Sequence, residues 1–365
     1  MIRLSKSVIG KEEIKAVEKV LKKEFLGMGE EVFEFEKTLS SFFESNVVCV
    51  NTGTSALHLA LQSIGLKRGD EVLVQSITYL ASFQAISATG ATPVACEVYP
   101  NSLTIDLKDA KSKITKNTKA IMPVHYAGSP GNLNDIYSFS KLNNLRVIED
   151  AAHAFGTIYK DKLIGSQGDI ICFSFDGIKN ITSGEGGAVV SEDLKIINKI
   201  KDLRLLGVVN DSEKRYVNKR SYDFQVFEQG WRYHMSNIMA AIGIEQFKKF
   251  KKFKKSRQSS AKYFSNNLKS CSKIRLLNLD YNLVVPHIFP IILKNGNRDS
   301  VRANLLEKGI ACGIHYFPNH LLKFYQSEPL EFSELIYNQL LTLPLHPDLT
   351  KKDLQFIVES VKETI

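Results

Sequence analysis

The sequence predicts an α/β protein whose mostly parallel sheet is covered by helices on both faces, followed by a smaller C-terminal α+β unit. Two observations carry that expectation. The first is a series of short apolar runs separated by amphipathic stretches: VVCV (47–50), EVLVQS (71–76), TPVACEV (92–98), AIMPVH (120–125), LRVIED (145–150), IICFSF (170–175) and GAVVS (187–191). Runs so short and so continuously apolar suit strands buried on both faces, the environment of a parallel sheet under crossover helices. The second is a composition shift near Glu245, where QFKKFKKFKKSRQSSAKYF sets Phe247, Phe250 and Phe253 three apart among eight basic residues.

Taken in chain order, a helix is expected from about Gly10 to Glu24, with Ile14, Val17 and Leu21 on one stripe that should lie on a core while the charges face outward. The strand and helix alternation follows to about residue 190. The basic stretch reads as a long helix leading from a large domain, residues 1–245, into a small one, residues 246–365. Its phenylalanines account for a buried face and its lysines for a solvated one, a better reading than a nucleic-acid or membrane-surface stripe.

At 365 residues, 44% apolar and 24% charged, the chain exceeds what one core usually holds, and its net charge of +9 is only mildly basic. No stretch is long and apolar enough for a membrane span, and the first residues break their hydrophobicity with charges, so neither a signal peptide nor an anchor is expected. The five cysteines (Cys49, Cys96, Cys172, Cys271, Cys312) are odd in number and mostly sit in apolar runs. They read as free thiols of a cytoplasmic protein, which sets aside disulfide scaffolds and zinc ribbons; no metal site is expected.

Chemistry falls at the ends of the runs. In LRVIEDAAHAFG a strand ends in Asp150, with His153 just beyond. Open parallel sheets bind ligands past the carboxyl ends of their strands, which is where Asp150 stands. The run IICFSF leads into DGIKNITSGEGGAVV and brings Lys179 to the same edge, in a loop whose glycines permit tight turns. In VVCVNTGTSALHLAL a strand turns at Gly53 into a helix whose first turn, near Thr54 and Ser55, offers free backbone N–H groups suited to a phosphate. No lysine follows the glycine, so this is not the common nucleotide loop. Tyr79, between a strand and the next helix, is available to lie flat on an aromatic ring.

An amine, a carboxylate, a phosphate cradle and an aromatic platform are together what pyridoxal 5'-phosphate (PLP) demands. A lysine is needed to hold the cofactor covalently and then to move a proton. A carboxylate is needed to keep the pyridine nitrogen protonated: at about 4 Å and an effective dielectric of about 20 it contributes about 4 kcal/mol, or about three pKa units.

The segments EDAAHAFG, SFDGIKNITSGEGGAVV, NTGTSALHLAL, SATGATPVACEV, GWRYHMSNIMAAIGIEQF and HYFPNH resemble, in order and over nearly the whole chain, the signatures of the DegT/StrS nucleotide-sugar aminotransferases. The resemblance implies the aspartate-aminotransferase-like fold (PLP fold type I) and a homodimer with active sites shared between chains. It further implies PLP in a Schiff base to Lys179, Asp150 on the pyridine nitrogen and Tyr79 stacked on the ring. Thr54, Ser55 and Ser174 would hold the phosphate, and His153 would stand beside the phenolic oxygen where the family often has Gln. Met28, Tyr316 and His320 correspond to positions near the sugar-nucleotide entrance.

Two departures accompany the match. Arg232 replaces the Asn that reaches the neighbouring subunit's cofactor phosphate, a contact arginine can make as a charge-assisted pair. His234 replaces an Arg. His125 is expected to make structural hydrogen bonds, and His58 carries no chemistry. The implied reaction moves an amino group from L-glutamate to a keto group of a nucleotide-linked deoxysugar, with no nucleic-acid or membrane partner. A sugar dehydratase would carry His in place of Lys179. A cysteine desulfurase would need a nucleophilic thiol, for which Cys312 is the late candidate. A DNA-binding regulator would use residues 247–257.

Overall fold

The computed structural model describes residues 1–294 and 296–365. Its strands are β1 (Asn46–Val50), β2 (Glu71–Gln75), β3 (Thr92–Cys96), β4 (Thr118–Met122), β5 (Arg146–Asp150), β6 (Ile158–Tyr159), β7 (Lys162–Leu163), β8 (Ile170–Ser174), β9 (Gly187–Ser191), β10 (Ile274–Leu276), β11 (Phe289–Leu293) and β12 (Leu340–Leu343). All seven apolar runs of the sequence contain strands of one sheet, ordered β1-β9-β8-β5-β4-β2-β3. The pairs β2/β3, β2/β4, β4/β5 and β5/β8 are parallel; only β9 runs against its neighbours β1 and β8. The expected mostly parallel α/β architecture is therefore present.

Alternate residues of each strand feed two separate cores. Cys49, Leu73, Ile121, Val147 and Phe173 face one, while Val48, Val50, Val74, Ile148 and Cys172 face the other. With neither face wet, the strands lack the polar alternation of a half-exposed sheet and read as continuous apolar runs. β1 is an edge strand, and its unpaired main-chain groups at Cys49 are met by buried side chains. Glu36 accepts from the Cys49 amide at 2.7 Å, Arg204 donates to the Cys49 carbonyl at 2.6 Å, and the two side chains form an ion pair. That closes the edge which would otherwise be open to further pairing.

The long basic helix spans Asn237–Leu268, capped by the Ser236 hydroxyl, so the expected boundary between residues 245 and 246 falls inside one continuous helix. It leads to the antiparallel sheet β10-β11-β12. The N-terminal residues dock there too: the Ile2 amide donates to Gly309 at 2.7 Å and Leu345 donates to Leu4 at 3.0 Å. Phe250 and Phe253 are buried as expected, but the basic residues are not uniformly solvated. Lys249 pairs with Glu12 and Glu13, Lys254 donates to the Gly156 carbonyl at 3.0 Å, and Arg257 is fully buried. No helix among the described residues is long and apolar enough to cross a membrane.

The N-terminal helix, Lys11–Lys22, departs from expectation. Its stripe does not lie on a core: Ile14 is 63% and Leu21 49% exposed, whereas Glu13 and Val20 are buried against the long helix. Glu13 accepts from the Gly10 amide, Gln246 and Lys249, so its carboxylate is compensated well enough to occupy the buried side. The displaced stripe lines an open apolar groove with Ile9 and Ile242.

Candidate active site

Because β1, β5 and β8 point the same way, their carboxyl ends converge on one cavity of about 530 Å³. Asp150, the last residue of β5, enters it almost fully buried. The Ser82 hydroxyl donates to one carboxylate oxygen at 2.7 Å and the Ala152 amide to the other at 3.2 Å. Ser82 is in turn 3.0 Å from the Thr78 hydroxyl. These bonds fix the carboxylate's direction while leaving acceptor capacity for a cationic group.

Lys179 lines the same cavity from the loop after β8, together with Asp176. Burial drives its amine down from 10.5 to about 8, against the pull of the Asp150 and Asp176 charges. About a tenth of the amine is therefore unprotonated at pH 7, far more than at its ordinary value, which favours nucleophilic attachment.

At the β1 edge, the Thr52 hydroxyl caps the helix Gly53–Ser63 by accepting from the Ser55 amide at 3.0 Å. Gly53 sits so close to Ser174 that a β-carbon there would lie 2.7 Å from the serine's own. This approach brings the helix N-terminus, Thr54 and the end of β8 to one wall. The Ser55 hydroxyl turns away, bonding Asn51 at 2.7 Å and the Thr52 carbonyl at 2.8 Å. Its contribution is to hold the cap.

Tyr79 lies at the mouth, 62% exposed, its ring 5.8 Å from that of Tyr316. His153 is buried, with Nε2 2.9 Å from the Tyr316 hydroxyl and Nδ1 unpartnered. His287 and His315 complete this wall, the His287 ring 4.5 Å from that of His153. Burial and the Lys179 charge lower all three imidazoles, His315 to about 4, so the wall is polar yet uncharged at neutral pH.

The remaining expected residues lie elsewhere in the single chain. Met28 packs in the hydrophobic core with residues such as Phe35. His320 is wholly buried between Ser76, 2.6 Å away, and Glu334, 3.1 Å away. Arg232 is exposed at the surface outside the cavity. His125 is buried with Nε2 3.0 Å from Glu149, yet neither ring nitrogen makes the structural hydrogen bond expected of it, and His58 packs on Trp231. The Cys312 thiol is pushed up to about 12 by burial, the opposite of an activated nucleophile.

Sequence reading missed Ser82, His287 and His315. Ser82 stands in the first turn after the Tyr79 loop, a position that faces the strand edge. His287 comes from the segment just before β11 and carries no local signature; His315 opens the HYFPNH segment, in which only Tyr316 and His320 are singled out by the resemblance.

The donor set fits PLP: an amine, a buried oriented carboxylate, a helix N-terminus beside two hydroxyls, and unpartnered imidazole nitrogens at the wall. Fold and site together define an aminotransferase. The chain belongs to the DegT/DnrJ/EryC1/StrS aminotransferase family, whose profile matches residues 7–362. It is 31% identical over 371 residues to the spore coat polysaccharide biosynthesis protein SpsC of Bacillus subtilis, covering 98% of this chain and 95% of that one. Among solved structures it is similar to Helicobacter pylori PseC, an aminotransferase involved in the biosynthesis of pseudoaminic acid. The TM-score is 0.92, with 28% identity and coverage of 100% and 98% of the two chains. The PLP form of Spr1654 from Streptococcus pneumoniae superposes with a TM-score of 0.90 at 26% identity, covering 100% and 98% of the two chains.

The lowered lysine value has a measurable consequence in cofactor-free protein. Unfolded, Lys179 keeps its proton to its ordinary 10.5; folded, it releases it near 8, so folding gains stability as pH rises between them. Lys179→Met should therefore be more stable than the wild type at pH 7, and the gap should narrow as the pH rises from 8 to 10.5. Urea denaturation across that range reads it; a gap that widens with pH contradicts the assignment.

Proposed function

We propose that the protein uses PLP, joined to Lys179, to move an amino group from L-glutamate to the keto group of a nucleotide-linked deoxysugar. The observation that carries this reading is the meeting of Lys179 and the Ser82-braced Asp150 in one cavity beside the Gly53 helix terminus. The names of SpsC and PseC point to the sugar side, and the PLP form of Spr1654 to the cofactor.

When bound, PLP supplies an electrophilic carbonyl and a ring able to absorb the electron pair left by deprotonation. The protein's groups do the rest. Asp150 would keep a proton on the ring nitrogen through its charge. Lys179 Nζ would hold the cofactor and serve as the base and acid that moves a proton across the site. Gly53, Thr54 and Ser174 would take the phosphate, and Tyr79 would cover the ring. His153 can donate from one nitrogen while Tyr316 satisfies the other. Neutral His287 and His315 offer hydrogen bonds to hydroxyl groups, which suits the sugar acceptor.

A lysine at position 179 disfavours the dehydratase. The basic helix has spent Lys249, Lys254 and Arg257 on internal contacts, which disfavours a DNA-binding surface.

Borohydride reduction followed by digestion and mass spectrometry should place the cofactor tag on the peptide containing Lys179; a tag elsewhere sinks the reading. Asp150→Asn should retain PLP yet lose about a thousandfold in turnover, the weight of about 4 kcal/mol at the ring nitrogen. A single-turnover panel of keto-sugar nucleotides, scored by loss of the aminated-cofactor spectrum, tests the acceptor. Indifference to every sugar would exclude it.

The active unit in this proposal is a homodimer. The open groove of Ile9, Ile14, Val17 and Leu21 is an apolar face suited to a second copy. Among the described lining residues the cavity holds one lysine and no arginine, so a partner's exposed Arg232 would supply charge for the phosphate. Light scattering should give twice the chain mass, and Arg232→Ala should weaken PLP binding about tenfold without changing that mass. A monomeric, fully active enzyme contradicts this.

A further inference from the structure

Arg257 ends the basic run, yet it is only 1% exposed. It follows Phe250 and Phe253 at steps of three and four residues, which puts it on the buried stripe of the long helix. A buried guanidinium usually faces a carboxylate. Here each hydrogen bond made by its terminal nitrogens, among the described residues, goes to a main-chain carbonyl. One nitrogen reaches His287 at 3.1 Å, Leu345 at 3.2 Å and Pro286 at 3.5 Å; the other reaches Ile178 at 3.3 Å and Lys179 at 3.5 Å.

These carbonyls belong to three separate segments: the loop after β8, the approach to β11 and the exit from β12. We propose that Arg257 is a positioning residue of the aminotransferase site, its planar fork gripping the carbonyls that bracket the Lys179 α-carbon together with that of His287, so that amine and imidazole keep a fixed aim into the cavity.

The five contacts are individually long, but the donor is charged and excluded from water, so their combined hold is strong. An apolar side chain would fill the same volume with less desolvation and tie nothing. Lysine would bring the charge without the fork. The guanidinium also adds to the field on Lys179. Asp150 and Asp176 favour the charged amine, burial and Arg257 oppose it, and the neighbouring imidazoles of His153, His287 and His315 are held neutral.

The inference rests on the reading of Lys179 as the cofactor lysine. The borohydride tag tests that reading alone, so the experiment here starts from cofactor-free protein. Lys179 is acetylated with acetic anhydride over a pH series and quantified by peptide mass spectrometry, and PLP binding is measured separately by equilibrium dialysis. In Arg257→Met the labelling midpoint should rise only modestly above about 8, because burial, the main cause of the lowering, persists, and PLP should bind about tenfold more weakly. Arg257→Lys should restore the midpoint while binding stays weak. A folded Arg257→Met with a lowered melting temperature but wild-type midpoint and affinity would mean a merely structural residue and overturn the proposal. Should Arg257→Met fail to fold, Arg257→Lys decides: weakened PLP binding supports the grip, and wild-type binding overturns it.

Discussion

One electrostatic arrangement organises the molecule: an amine and a carboxylate kept out of bulk water in the same cavity. Burial pushes Lys179 toward its neutral, nucleophilic form, while the charge of Asp150 pulls the other way. Neither group can be left to find its own place, because a misdirected charge at low dielectric costs more than most single contacts return. Asp150 is accordingly held by a strand end, a backbone amide and the Ser82 hydroxyl.

The parallel sheet makes this arrangement economical. Parallel strands deliver their carboxyl ends to one edge, and each is followed by a turn into a helix or loop. From three such ends the chain obtains a helix N-terminus at Gly53, a carboxylate at Asp150 and the Ser174 to Lys179 loop. The buried Glu36 and Arg204 pair seals the edge strand β1 just before the helix terminus, so the cradle rests on backbone that cannot slip sideways. The cost of such a pair is desolvation, and here it is offset by bonds to main-chain groups that would otherwise stay unmet.

Different parts of the site were legible to different degrees. Asp150 ends a strand, and Gly53 and Lys179 follow strand ends within a few residues, so local pattern alone placed them at the sheet's carboxyl edge. Ser55 was read as a phosphate ligand from the same pattern, but its hydroxyl closes the cap with Thr52 and Asn51, a competition that only side-chain geometry resolves. Met28 and His320 show the limit of transferring positions by motif: in this chain one is core and the other bridges Ser76 and Glu334. The N-terminal helix was misjudged because apolar periodicity says which residues share a face, not which face is covered. A carboxylate with three donors took the buried side.

From the sequence alone came the seven strand runs of the large sheet, their two-sided burial and the residues at their carboxyl ends, because these depend on short-range periodicity and on where apolar runs stop. The tertiary structure decided what comes from afar. It brought His287 and His315 to the cavity wall, turned Arg257 from an apparent surface cation into a clasp on the Lys179 loop, and left the Ile14 stripe uncovered. Those outcomes depend on which distant segments pack together and on how each buried charge finds donors or acceptors. No local window of residues contains that information.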